Sequence, residues 1–481
     1  MEIAVLIAIP LIASLASFLV KKNLQALSVI AVCASVCELL AVLTIVISVL
    51  NNRVYRMTDF FSVDPLGSIL IMLLGLVGAT ATLYSTSYLK IEVEKNIIGC
   101  SRVRQYFILL HLFLFAMFFA VITTSPILTW IAIETTTLST AFLISFYNKP
   151  SAIEAAWKYL IINSVGLLCG FFGTLLFFYP TVHAGNQGFI TWQNLVDNAV
   201  GFDPIILKIA FVFVLIGYGT KVGLVPMHTW LPDAHSKAPA PISGLLSGVL
   251  LNVAFLAILR FKTVTDAAID PHFSRELLVV LGIVSIVVAA FIIFIQKNYK
   301  RLLAYHSIEH MGIITLGFGF GGAGAFAGLL HMIYHSLAKS ALFLAAGNIL
   351  LKYSTTKMGK VQGMIKTLPV TSVLFFIGFL VMAGVPPSGI FITEFSILAA
   401  GITVHPVITI IALLSLALVV AGILKHVVVM IFGKPEPTIP VGEAGPWTIL
   451  PIIILVAVLM TISFFIPENL YSLLQSATIN Y

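Results

Sequence analysis

Titratable side chains stand inside stretches of this sequence that are otherwise apolar. Glu134 interrupts 126–147, Lys221 interrupts 205–225, Lys339 interrupts 329–350 and Glu394 interrupts 370–400. Histidines lie among them. His306, Glu309 and His310 fall on one helical face, and His331, His335 and Lys339 recur every four residues in the next apolar run. An ionised group at bilayer depth costs several kcal/mol unless it faces water or a partner, so such groups carry a functional reading by default. Acids, ammonium groups and imidazoles set at helical intervals are the components of a proton relay, because imidazole exchanges protons near neutral pH. A structural hydrogen-bond cluster is the alternative for the histidines.

Relay groups need helices to hold them. The chain has 481 residues, 60% of them hydrophobic and only 9% charged, and its mean hydropathy is +1.09. Soluble domains carry about 25% charged residues, so lipid must be the solvent here. Apolar runs long enough to span a bilayer predict an all-α polytopic membrane protein of about fourteen transmembrane helices, over 2–20, 24–50, 65–89, 105–123, 126–147, 152–179, 205–225, 239–262, 276–296, 301–319, 323–351, 369–400, 404–432 and 446–466. Two spans are punctuated. The seventh runs through Gly217, Gly219 and Gly223 to Pro226, and the twelfth contains Gly384, Pro386, Pro387 and Gly389. Broken helices in lipid require that the freed backbone be buried or wet. The breaks lie five spans apart, each with one charge nearby, Lys221 or Glu394. That spacing predicts two five-helix repeats, 105–262 and 275–432, inverted relative to each other because five is odd. Helices 1–3 (1–104) precede them and a fourteenth helix (433–481) follows. Inverted repeats with broken helices are a transporter signature.

Lys and Arg cluster in alternate loops: Lys21 and Lys22, Lys90 to Arg104, Lys149, Lys297 to Arg301, Lys352 to Lys366, and Lys434. The other loops are assigned mainly Arg53, Arg56, Arg260, Lys262 and Arg275. The positive-inside rule then predicts both termini outside the cytoplasm. Residues 1–20 end at Lys21 without a small-residue cleavage site and read as a retained helix. The net charge of +7 is scattered, which predicts no nucleic-acid partner. Cys33, Cys37, Cys100 and Cys169 show no C-x-x-C spacing, so iron–sulfur, zinc and disulfide frameworks are not expected, and any redox centre is expected on another chain.

Other patterns are read plainly. His306-x-x-Glu309-His310 has the form of an inverted zinc-protease motif, but proteolysis would need a further ligand and a wet cleft, so no metal is expected. Gly317–Gly324 has the form of a nucleotide loop but joins two spans, which makes it a helix–helix turn. Gly166 and Gly170 form a helix-packing signal. Asn252 cannot titrate and reads as a hydrogen-bonding site for water. Asp233 and His235 read as structural, with a part in proton uptake as the alternative.

The run Thr220-Lys221-Val222-Gly223-Leu224-Val225-Pro226, then His228-Thr229-Trp230-Leu231-Pro232-Asp233-Ala234-His235-Ser236 and Ala238-Pro239-Ala240-Pro241-Ile242-Ser243, resembles the antiporter-like subunits of respiratory complex I. That family includes subunits of multisubunit cation/proton antiporters and energy-converting hydrogenases. Trp130–Leu138, Tyr305–Gly312 and Asn252 resemble the hydrogenase-4 and formate-hydrogenlyase membrane subunits. The resemblance implies an ion pair between Glu134 and Lys221. Withdrawing the carboxylate would make a buried lysine give up its proton, whereas a static salt bridge would only lock two helices. It also implies that His331, His335 and Lys339 lie on a central hydrophilic axis, with Glu394 as its terminal group, taking a proton from Lys339. The implied function is proton translocation, with no redox chemistry on this chain, in a hydrogenase-4-type complex of a prokaryotic inner membrane. Partners would be other membrane subunits and peripheral redox subunits carrying iron–sulfur clusters and nickel–iron. A Na⁺/H⁺ antiporter subunit and a non-translocating scaffold subunit are the alternatives.

Overall fold

The computed structural model describes residues 1–21, 23–183, 189–435, 439–479 and 481; the loop cation Lys22 lies outside them. The helices are α1 (Glu2–Leu19), α2 (Leu24–Asn52), α3 (Pro65–Glu94), α4 (Cys100–Ile122), α5 (Pro126–Ile144), α6 (Pro150–His183), α7 (Trp192–Asp197), α8 (Pro204–Val222), α9 (Trp230–Lys237) and α10 (Ala240–Leu245). They continue with α11 (Leu251–Ala268), α12 (Pro271–Ile295), α13 (Tyr299–Phe320), α14 (Ala323–Tyr353), α15 (Met364–Thr367), α16 (Pro369–Met382), α17 (Gly389–Val404), α18 (Pro406–Phe432), α19 (Leu450–Phe464) and α20 (Glu468–Thr478). A π-helical turn, Leu246–Leu250, joins α10 to α11. The one departure from all-α among the described residues is an antiparallel hairpin of β1 (Tyr55–Thr58) and β2 (Phe61–Val63).

Twelve helices among the described residues are long and apolar enough to cross a membrane. Adding α13, whose histidines and glutamate lower its hydropathy, and the α16–α17 pair brings the number of spans to fourteen. Capping fixes where several of them begin. Asp64, Asp203 and Asp270 each precede a proline and accept a backbone N–H from the first turn of α3, α8 and α12, the arrangement expected of an acidic N-cap with proline at the first helical position. Both broken spans stop at a left-handed glycine. Gly223 (φ +83°) ends α8 with its N–H on Gly219 and Thr220, and Gly384 (φ +60°) follows α16. Glycine adopts this conformation without the Cβ penalty. Ser388 restarts the second broken span by accepting from Phe391 N at the head of α17.

The α10–α11 span and α14 are buried over the length that would cross the membrane and form the centre of the bundle. At one end the basic loops are tied together, with Asn298 bridged to Lys357 and Lys95 Nζ donating to Leu351 O at 2.6 Å. At the other end the hairpin bridges to Thr123, and Trp192 N donates to Thr124 O.

Several cations assigned to loops from sequence are helical: Lys90, Arg102, Arg104, Lys300, Arg301, Lys352 and Lys366 at the ends carrying the basic loops, and three of the other set. Arg260 and Lys262 lie in α11 and Arg275 in α12. Arg260 is paired with Asp64 through two bonds of 2.6 and 2.7 Å, and Lys262, fully buried, is paired with Asp266. Their charges are used inside the protein, so they are not markers of loop orientation. The segment after 466 also differs from the expected single final helix. It folds as α20, whose Leu470, Leu473, Leu474 and Ala477 are buried, an amphipathic spacing that packs against α3 and α14.

Candidate functional site

The first half of the titratable axis is built where α6 and α8 approach closely. A Cβ on Gly217 would lie 2.3 Å from Gly170 Cα, and one on Gly166 would lie 2.6 Å from Thr220 Cβ, so glycine at these positions is what allows the contact. The approach sets Tyr159 of α6 beside Lys221, the penultimate residue of α8. Lys221 is fully buried and donates to Thr137 Oγ1 at 2.9 Å and to Tyr159 OH at 2.7 Å. Its ammonium also lies 4.8 Å from the Tyr159 ring centroid. Glu134, one turn before Thr137 on α5, accepts from Ser164 Oγ at 2.7 Å and from Thr137 Oγ1 at 3.2 Å. No nitrogen–oxygen contact within 4.0 Å joins Lys221 to Glu134. The expected ion pair is therefore indirect, because the Thr137 hydroxyl occupies the space between the charges and satisfies both.

The second half is a continuous array across α13, α14 and α17. His306 Nε2 and His310 Nε2 are 3.1 Å apart, His310 Nδ1 is 2.8 Å from His331 Nε2, and His331 Nδ1 is 2.8 Å from Thr393 Oγ1. Glu309 Oε2 lies 3.6 Å from His306 Nε2 and 3.3 Å from His310 Nε2. The His335 ring is 5.6 Å from that of His310, and both its nitrogens are buried without a partner. Lys339 donates to Leu303 O at 3.0 Å. The Glu394 carboxylate stands within 4.8 Å of ligand nitrogens of His310 and His331. It fits because Gly384 has no side chain: a Cβ there would meet Glu394 Oε2 at 2.3 Å. Lys339 lies about 12 Å along α14 from His331, and it is the histidines that border Glu394.

Residues 123–420, more than half of the chain and all of the axis, match the family described as NADH:quinone oxidoreductase/Mrp antiporter, TM. The chain belongs to this family. It is 40% identical over 394 residues to a hydrogenase-4 component F homolog of Methylacidiphilum infernorum, covering 81% of each chain. It is 31% identical to NAD(P)H-quinone oxidoreductase chain 4 1 of Synechococcus elongatus, over 70% of this chain and 60% of the relative. In fold it is similar to a chain of the membrane-bound sulfane sulfur reductase, an archaeal respiratory membrane complex, with a TM-score of 0.87 and 20% identity over 99% of this chain and 97% of the other.

Within this antiporter-family chain the two halves are linked by hydroxyls and an amide. Asn252 Nδ2 donates to Gly248 O at 3.0 Å and to Ser336 Oγ at 2.7 Å, and its Oδ1 is buried without a partner, a fitting acceptor for a water proton. Ser247 and Ser307 hydroxyls meet at 2.7 Å. Two overlapping sets, His306–Glu309–His310 and His310–His331–Glu394, have ligand atoms close enough to hold a metal ion. Both require His310, whose two nitrogens lie at hydrogen-bonding distance from His306 and His331. His310 thus joins His306 to His331 in one hydrogen-bonded series.

Sequence reasoning missed the hydroxyls: Thr137, Tyr159, Ser164 and Thr393. Thr137 carried a signal, standing three residues after Glu134, whereas Thr393 in an apolar helix carried none. It also passed over Glu38 and His111, buried in α2 and α4 with polar atoms unpartnered. Glu38 interrupts an apolar run just as Glu134 does.

Proposed function

We propose that this chain is the proton-translocating membrane subunit of a redox-driven complex of the hydrogenase-4 type in a prokaryotic inner membrane. The observation that carries the reading is the series His306–His310–His331–Thr393 with Glu394 alongside; in this reading protons reach it from Glu134–Thr137–Lys221 by way of water at Asn252 and Ser336. Its groups are imidazoles, ammonium groups and hydroxyls, which exchange protons; a hard cation such as Na⁺ would call for a cage of oxygens. In this reading iron–sulfur clusters and nickel–iron sit on partner subunits, and this chain contributes charge movement only. Residues 105–262 and 275–432 act as two inverted half-channels, preceded by 1–104 and followed by 433–481. The matching glycine-capped breaks at Gly223 and Gly384, each beside one charged group, support that division.

The hydroxyl bridge gives the mechanism its form. When α5 and α8 hold Glu134 and Lys221 on Thr137, the lysine keeps its proton. When the carboxylate moves away, the ammonium loses its stabilising charge and passes the proton on through the water and hydroxyls near Asn252 to the histidines. Glu394, beside an unwound backbone where water can bind, releases it. Glu394→Gln keeps size but cannot exchange a proton. In vesicles holding the whole complex it is expected to leave assembly and electron transfer from an artificial donor near normal while proton translocation falls roughly tenfold or more; Glu394→Asp recovers part. Normal translocation in the Gln variant would remove Glu394 from the path.

A further inference from the structure

A group of ligating side chains lies outside the axis, at the end of the bundle where Arg260 of α11 meets Asp64 beside the β1–β2 hairpin. His272 and Glu276 belong to the first two turns of α12, and His405 is the single residue between α17 and α18. We propose that these three residues form a binding site for a divalent transition metal of the zinc class, and that the bound ion ties the start of α12 to the α17–α18 corner.

One carboxylate oxygen serves both imidazoles. His272 and Glu276 stand four residues apart, so their side chains share a helix face, and His272 Nδ1 lies 3.6 Å from Glu276 Oε1. His405 reaches the same oxygen from another element, with its Nε2 3.0 Å away. The corner holds His405 in place. Its N–H donates to Gly401 O at 2.7 Å, its carbonyl accepts from Thr409 Oγ1 at 2.9 Å, and its ring stacks on Phe320 with centroids 6.0 Å apart. A donor locked in this way is preorganised for a ligand. His272, with 75% of its side chain exposed, has room to turn its ring onto an ion held by the other two. The site opens to water through a cavity of about 440 Å³ lined by Asp270, His272 and Glu276. Lys208 in the same wall lies over the Phe273 ring, 5.4 Å from its centroid, leaving Glu276 to the imidazoles. Two imidazole nitrogens, one carboxylate oxygen and a water make the tetrahedral set that zinc takes, whereas Mg²⁺ and Ca²⁺ call for oxygen ligands. The position gives the ion leverage. Thr393 and Glu394 lie on α17, and α12 packs along α13, which bears His306 and His310. A metal bridging α12 to the end of α17 holds the two sides of the histidine array in one relation, and on the proton-translocation reading it slows transport.

The test compares the whole parent complex with complexes carrying His272→Ala or His405→Ala. Equilibrium dialysis against zinc chloride is expected to show zinc affinity at this site lower by roughly tenfold or more in either variant, because losing a direct ligand costs at least what losing its supporting hydrogen bonds does. Co²⁺ in place of zinc is expected to give the parent a visible tetrahedral absorption that each variant lacks. In vesicles, zinc on the hairpin side is expected to slow proton translocation by the parent. Half-inhibition in His405→Ala then needs a roughly tenfold higher concentration, and Mg²⁺ has no effect on either. Equal zinc binding in the parent and both variants overturns the site and leaves a hydrogen-bonded corner. Zinc binding lost in the variants, with parent translocation indifferent to zinc, upholds the site and overturns the clamp. If the parent moves no protons, the translocation reading falls while dialysis still decides the site. Should His405→Ala fail to assemble, His272→Ala decides alone, because that side chain lies mostly in solvent.

Discussion

At the scale of single residues, the decisive finding is that the first pair of charges is joined through a hydroxyl. Thr137 accepts from Lys221 and donates to Glu134, so a small rotation of one side chain separates the charges without moving a helix. Thr137→Val keeps the shape and removes the bridge. Proton translocation by the assembled complex is expected to fall roughly tenfold or more, and rates equal to the parent would mean that the charges communicate without the threonine. The ionisable members of the axis were legible in the sequence, because charges in apolar runs and histidines at four-residue intervals need no partner to be noticed. Their order was not. Glu394 follows Lys339 in the chain, yet packs against His310 and His331, since the crossing of α14 and α17 brings residues eight apart on one helix to different depths. Orphaned polar atoms were invisible for the same reason: whether His235 or Glu38 has a partner depends on neighbouring helices.

At the scale of elements, two glycines do related work. Gly223 and Gly384 end helices inside the bundle in left-handed conformations, and the missing Cβ of Gly384 also leaves room for the Glu394 carboxylate. Gly384→Ala therefore carries two penalties, about 1–2 kcal/mol of backbone strain and a Cβ 2.3 Å from Glu394 Oε2. The expected outcome, checked by translocation and blue-native electrophoresis, is an assembled complex with the defect of the Glu394 variants. Full activity would show that the carboxylate does not need its present position. The two breaks were legible from Gly and Pro, whereas the Asp-Pro pairs that start α3, α8 and α12 carried a capping signal that the hydropathy limits did not use. The small amphipathic α20 was passed over because its four buried residues follow a strongly apolar span, and the β1–β2 hairpin because each strand is too short to carry an alternating pattern.

At the scale of the whole molecule, the fourteen spans and their loops determine which side faces the cytoplasm. The basic loops lie mainly at one end, and the positive-inside rule predicts that end in the cytoplasm. A fluorescent reporter active only in the cytoplasm is expected to stay dark after Tyr481 and to light when placed between Lys357 and Lys366; the reverse would invert the direction assigned to the path. The span count could be read from hydropathy alone, whereas the association of α6 with α8 and of α13 with α14 rests on glycine contacts and buried polar pairs that one sequence does not reveal. The central claim is that redox energy moves protons along this axis, and Lys221 is the member with the fewest substitutes. The most direct measurement is protons moved per electron pair by the whole complex in vesicles carrying Lys221→Met. The account predicts an assembled complex in which electrons still flow and the protons moved per electron pair fall. Translocation at the parent stoichiometry in that variant would contradict it.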